Sequence, residues 1–182
     1  ITFITPAFPY PKRGVLGGIE RSVEFLSLIL KELGHDIKIV TTFWNGGKKR
    51  DAFRGIPILR VRDTRAIFGK LGSIFSISLI TFGLNVIRKK TFNFYKDTDI
   101  IILPVSIGFT RFLKNRGIEV ISVYHHYRPP IKISEYFTLP VLRFLEKKQF
   151  NLRKYIIVRT KYGKKDLEKY YNLNDKIIKI LP

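Results

Sequence analysis

The chain has 182 residues, 45% of them hydrophobic, and carries 34 Lys and Arg against 14 Asp and Glu, a net charge of +20. That apolar content is ample for a folded core, so a disordered tail is excluded. There is no Cys, which excludes disulfides, thiolate nucleophiles and cysteine-ligated zinc.

Three His are too few and too scattered for a His-rich metal cluster, and a strand would turn the neighbours His125 and His126 to opposite faces. The basic excess attracts phosphates, whether on nucleic acid, anionic lipid or a nucleotide. The abundance of Ile and Lys offers a second account, a compositional background. The first residues lack the basic segment, apolar run and cleavage site of a secretory signal, so no leader is expected.

Taken in order, "ITFIT" (1–5) is an apolar strand that runs into a Pro- and Gly-rich loop ending in Gly17-Gly18. Residues 19–33 follow helical spacing through Ile19, Val23, Leu26, Leu30 and Leu33. Gly34 sits where a left-handed residue ends a helix, and His35 behind it caps or packs. "DIKIVTT" (36–42) and "IPILRV" (56–61) are strands, with the polar "WNGGKKRDAFRG" between them expected as a turn region.

Residues 71–87 carry no charge. As a helix they would span roughly 25 Å, just short of a ~30 Å hydrocarbon core. Ser73, Ser76, Ser78, Thr81 and Asn85 weaken a membrane span further, and basic residues flank both sides. A buried helix is expected; a helix lying in a membrane interface is the alternative.

"TDIIILPV" (98–105) is a strand of buried-sheet type. Residues 108–116 are expected as a helix, "IEVISVYHH" (118–126) as a strand, and 138–152 as a helix. "KYIIVRT" (154–160), "KYGKKDLEKYY" (161–171) and "KIIKIL" (176–181) read as strand, helix and strand, with Thr160 capping the helix. Such alternation predicts an α/β class: one Rossmann-like domain over 1–182, a mainly parallel sheet with helices on both faces. Its ligands belong at the carboxyl ends of the strands, where strand order reverses.

The loop at 6–18 opens onto that edge. Gly17 and Gly18 have no Cβ, so their amides can approach a ligand, and the helix behind them presents unpaired N–H groups. Together they suit phosphate; paired glycines can also serve tight loop-to-helix packing alone. Neither the dinucleotide fingerprint nor the Walker loop is present. Glu20 complements the helix end electrostatically, or accepts a hydrogen bond from a sugar hydroxyl. Tyr10, Lys12 and Arg13 lie in a loop near the same mouth, and Tyr127 and Arg128 follow the later strand; such aromatics can stack on a ring and such cations bind phosphate. Solvated loop charges are the plain alternative.

Several stretches then agree with one family. "GGIERSVEFLSLILKELGHDIKIVTT", "VISVYHHYRP" and "YIIVRTKYGKKDLEKYYNLNDKIIKILP" resemble, in that order, the amino-terminal domain of the retaining GT-B glycosyltransferases of family 4, group 1. Thr160 stands where a Ser is usual, and 45–95 fits only by pattern.

The resemblance implies transfer of a sugar from a UDP- or GDP-linked donor to a glycan or lipid-linked acceptor, with retention and no metal or cofactor. It implies that Gly17 and Gly18 bind the donor phosphate and that His125 is the catalytic His of the cleft, or His126 if the register slips by one. It also implies a second, carboxy-terminal domain that holds most of the donor. The paired-glutamate motif and the Arg/Lys pair of that domain are missing from these residues, so the chain alone is expected to be inert. A cytoplasmic protein, peripheral on an anionic membrane face, is the expected setting. Two rivals remain: a basic nucleic-acid-binding module, and a non-catalytic sugar- or nucleotide-binding domain. The nucleic-acid reading lacks any recognised motif.

Overall fold

The computed structural model describes residues 1–6, 8, 17–43, 47–63, 75–104, 109–124, 144, 146–153, 155–173 and 178–180, and of 75–77 the backbone alone. Apolar runs become strands β1 (Thr2–Ile4), β2 (Lys38–Thr42), β4 (Ile56–Val61), β5 (Ile100–Leu103), β6 (Glu119–Tyr124), β7 (Tyr155–Val158) and β8 (Ile178–Ile180). A short edge strand, β3 (Arg50–Phe53), precedes β4. The helices are α1 (Gly18–Glu32), α2 (Phe75–Ile87), α3 (Lys89–Tyr95), α4 (Thr110–Lys114) and α5 (Lys161–Tyr171), and residues 146–150 are also helical.

The strands form one sheet of order β3-β4-β2-β1-β5-β6-β7-β8. Every neighbouring pair is parallel except β3 with β4. Alternation along each strand sends successive side chains to opposite faces. Phe3, Ile39 and Ile58 pack with Val23 of α1. Ile4, Val40 and Leu59 pack instead with Phe82 and Val86 of α2, Tyr95 of α3 and Leu113 of α4. A third cluster joins Phe150, Ile156, Val158 and Ile178 to Leu167 and Tyr171 of α5. Helices therefore cover both faces, as the pattern predicts. Each large apolar side chain so buried contributes about 2 kcal/mol.

The helix stop at Gly34 is as expected. Gly34 has φ 89°, its N–H donates to the Lys31 carbonyl at 2.9 Å, and the His35 N–H donates to Leu30 at 3.1 Å. Those two bonds satisfy the last carbonyls of α1. His35 caps through its backbone N–H, and its side chain is exposed.

Two expectations need correction. The polar region between β2 and β4 contains β3, an edge strand whose charged residues Arg50 and Asp51 hid it. Arg54 (φ 47°) and Gly55 (φ 75°) both lie in the left-handed region, the geometry of a tight hairpin turn. The uncharged segment is helical from Phe75, and a second helix, α3, follows it after a break at Arg88. α2 is buried on one face through Leu79, Phe82 and Val86, while Ile80 and Leu84 remain 47% and 55% exposed.

Candidate functional site

From β1 the chain builds outward through β2 to β4, then returns to β5 and builds the other way. The order reverses between β1 and β5, so the crevice at their carboxyl ends is the natural ligand site. The backbone leaving β1 is pinned there. The Thr5 N–H donates to Val40 at 3.0 Å, and the buried Thr42 hydroxyl donates to the Pro6 carbonyl at 2.7 Å. Phe8, 2% exposed, meets Phe53 edge-to-face at 5.5 Å.

α1 then starts with Gly17 as its N-cap, in extended conformation and without a side chain to bond the helix end. Gly17 and Gly18 are both exposed. A Cβ added at Gly18 would meet nothing within 4 Å, whereas one at Gly17 would lie 2.5 Å from Glu20 Oε2. The Glu20 carboxylate thus folds back against Gly17, sharing the positive end of the helix with any anion that approaches.

Arg159, directly beyond the carboxyl end of β7, donates from Nη1 to Ser22 Oγ at 3.2 Å; that hydroxyl donates in turn to the Gly18 carbonyl at 2.8 Å. A cation from the far side of the crevice is thereby held one turn above the glycines. Beside it, Thr160 Oγ1 accepts the Gly163 N–H at 3.0 Å and caps α5, as expected. Sequence reasoning singled out Thr160 and missed Arg159. The available signal was its position at a strand's carboxyl end.

Of the residues expected at the site, Gly17, Gly18 and Glu20 come together at the start of α1. Tyr10, Lys12, Arg13, His125, His126, Tyr127 and Arg128 lie outside the described residues. Among the described residues no group of three or more acidic or His side chains is placed to hold a metal ion. None of the helices among them is long and apolar enough to cross a membrane.

A second concavity lies on the same edge. Its volume is about 890 Å³, and it opens beyond the ends of β2 and β4, against the junction of α2 and α3. Its walls include Lys49, Arg50, Arg60, Arg62, Arg88 and Lys90.

A family model described as "Glycosyltransferase Family 4" matches residues 16–182. The chain belongs to glycosyltransferase family 4. Among curated proteins no relative matches the sequence. Solved structures carry the same fold. The family-4 chain aligns with sucrose-phosphate synthase from Thermosynechococcus elongatus at a TM-score of 0.72 and 12% identity, covering 100% of this chain and 47% of that one. It aligns with WaaG, a glycosyltransferase involved in lipopolysaccharide biosynthesis, at 0.57 and 13%, covering 100% and 45%. A glycosyltransferase from Rickettsia africae gives 0.56 and 16%, covering 98% and 42%. The chain spans less than half the length of each. Identities this low speak for the fold alone: this family-4 chain is a Rossmann-like domain of the GT-B kind.

Proposed function

We propose that this family-4 chain is the acceptor-side half of a retaining glycosyltransferase. The enzyme would move a sugar from a UDP- or GDP-linked donor to a glycan or lipid-linked acceptor. The observation that carries the reading is the pair of exposed glycines at the start of α1, at the strand-order switch, in a chain of this family.

As the bond to the sugar breaks, negative charge grows on the leaving diphosphate. Fixed donors aimed at that charge lower the barrier most. The Gly17 and Gly18 amides supply such donors at no side-chain cost, and Arg159 stands one turn away as a cation. A second domain, beyond these residues, would hold most of the nucleotide and add its own cations. The acceptor hydroxyl attacks from the face that the leaving group vacates and gives its proton to the departing diphosphate, so no carboxylate pair is needed for a covalent intermediate. Within this reading His125 contacts the transferred sugar. Glu20 accepts a hydrogen bond from a hydroxyl brought to the glycine loop, and Tyr10, Lys12, Arg13, Tyr127 and Arg128 border the acceptor.

The setting proposed is the cytoplasmic face of a membrane. Its support is the net charge of +20, with exposed Ile80 and Leu84 on α2 next to exposed Arg88, Lys89 and Lys90.

A radiolabelled transfer assay tests the reading. A chain extended through a second domain is offered a panel of UDP- and GDP-sugars with membranes as acceptor. Transfer that disappears on His125→Ala, with the fold intact, is the expected result. The 182-residue chain alone should transfer nothing, and measurable turnover by it would refute the half-enzyme assignment.

A further inference from the structure

We propose that the basic cavity beside β2 and β4 binds a phosphate-bearing group, of the diphosphate class, and so anchors an acceptor that carries one. Cationic residues from three separate stretches of chain line it: Lys49 and Arg50, Arg60 and Arg62, Arg88 and Lys90. Five of these six are exposed, whereas the Arg60 side chain is buried within the wall. No Asp or Glu among the described residues is part of the lining. Like charges gathered around a concave surface repel one another and focus a positive field into it. A protein of high positive charge lowers that repulsion by spreading its cations. This chain concentrates them instead, an arrangement that a polyanion would neutralise.

The walls are held in place before any ligand arrives. Arg60 is 1% exposed, and its Nη2 lies 3.4 Å from Asp51 Oδ2. The Arg60 N–H donates to the Lys49 carbonyl at 2.8 Å, which fixes the first stretch to the second. Asn85 Nδ2 donates to the Arg62 carbonyl at 2.7 Å, which fixes the end of α2 to the end of β4. Three of the five exposed cations, Arg50, Arg62 and Arg88, are Arg, whose planar fork pairs with two oxygens of one phosphate at once.

Size and lining narrow the ligand. A volume of about 890 Å³ lies within the ~300–1,000 Å³ range of small-molecule sites and far exceeds what a lone phosphate fills. Phe43, Leu59 and Val61 give it an apolar wall, so the phosphate is joined to an apolar or ring-bearing body. β4 is two strands from β1 in the sheet, a lateral distance of about 10 Å. A molecule anchored in the cavity by its phosphates can therefore present a hydroxyl towards the glycine loop. That acceptor role rests on the glycosyltransferase reading; the anion site does not.

Calorimetric titration of the chain with sodium pyrophosphate at low salt tests the site. Saturable binding is expected, weakened about tenfold or more by the pair Arg62→Glu with Arg88→Glu. The pair Arg111→Glu with Lys114→Glu, exposed on α4, makes the same change in net charge elsewhere and should leave binding unaltered. If circular dichroism shows the first pair misfolded, Arg62→Gln with Arg88→Gln replaces it. No saturable binding, or equal weakening by both pairs, overturns the proposal. Flotation with phosphatidylcholine vesicles, with and without phosphatidylglycerol, separates the sources. Vesicle binding lost in the cavity pair alone identifies a lipid headgroup. Vesicle binding indifferent to the pair, alongside lost pyrophosphate binding, identifies a soluble phosphate ester. The titration contains no donor and no transfer step, so its failure and a failed transfer assay are read independently.

Discussion

Gly18 and Gly34 bracket α1, and both are exposed, yet their backbones ask different things of them. Gly34 occupies the left-handed region at φ 89°, where a side chain would be strained. Gly18 has ordinary helical geometry and open space where a Cβ would stand. Nothing in the fold requires a glycine there. Gly18→Ala is therefore expected to stabilise the chain by roughly 0.4–1 kcal/mol, through lost freedom of the unfolded state, in thermal or urea unfolding. Under the proposed function the same methyl group would obstruct a phosphate approaching the amides, so transfer by the proposed two-domain enzyme should fall. A variant both more stable and fully active would leave this glycine without a ligand role. Residues whose task is local, such as Gly34 and Thr160, could be read from sequence because a cap involves neighbours within a turn. The contact of Arg159 with Ser22 spans 137 positions and depends on which strands lie side by side. The fold-back of Glu20 onto Gly17 was equally hidden, since the sequence places Glu20 in the first turn but not its rotamer.

The elements that sequence pattern recovered were those with a plain period: apolar strands, and helices with an apolar stripe. β3 escaped because an edge strand with one exposed face and charged residues has no such run. α3 escaped because its pattern merges with that of α2. α5 is mostly polar, and its start depends on the bond from the Gly163 N–H to Thr160 Oγ1. Thr160→Ala should cost about 1 kcal/mol, measured by urea unfolding; no loss would mean the cap is idle. α2 and α3 are tied by the buried Tyr95 hydroxyl, which donates to the Val86 carbonyl at 3.0 Å. Burial raises the Tyr95 phenol above its ordinary 10.0, with Arg116 opposing the shift. Above pH 10 the unfolded chain releases this proton while the folded chain keeps it, so stability is complete below that value and falls as pH rises. Tyr95→Phe should cost about 1 kcal/mol at neutral pH and flatten the alkaline decline. An alkaline unfolding profile that keeps its slope in the variant would assign the decline to other groups.

For the molecule as a whole, the sequence told the kind of sheet but not its strand order, and the order is what assembles the sites. The basic residues of "KKR" (48–50), "RVR" (60–62) and "RKK" (88–90) lie in three stretches far apart in sequence. Only the pairing of β2, β3 and β4, with α2 returning to the end of β4, gathers them around one cavity. A net charge of +20 also acts at a distance. Near anionic lipid each Lys or Arg contributes about 1 kcal/mol, and salt screens this within ~10 Å at 0.1 M. Flotation on phosphatidylglycerol vesicles is therefore expected at low salt and should fade as salt rises. Absence of binding at low salt would remove the membrane setting from the proposed function.

The central position of β1 bears on how the protein is made. Thr2 pairs with Lys38 on one side but with Ile101 on the other. A chain leaving the ribosome can lay β1 against β2 and β4 early, since their partners are close in sequence, whereas the contact with β5 waits for much later synthesis. Until then the inner edge of β1 is an unpaired template that any passing strand can occupy. The crevice takes shape only when β5 arrives, so a ribosome-stalled chain ending before β5 would be a half-sheet in need of a chaperone.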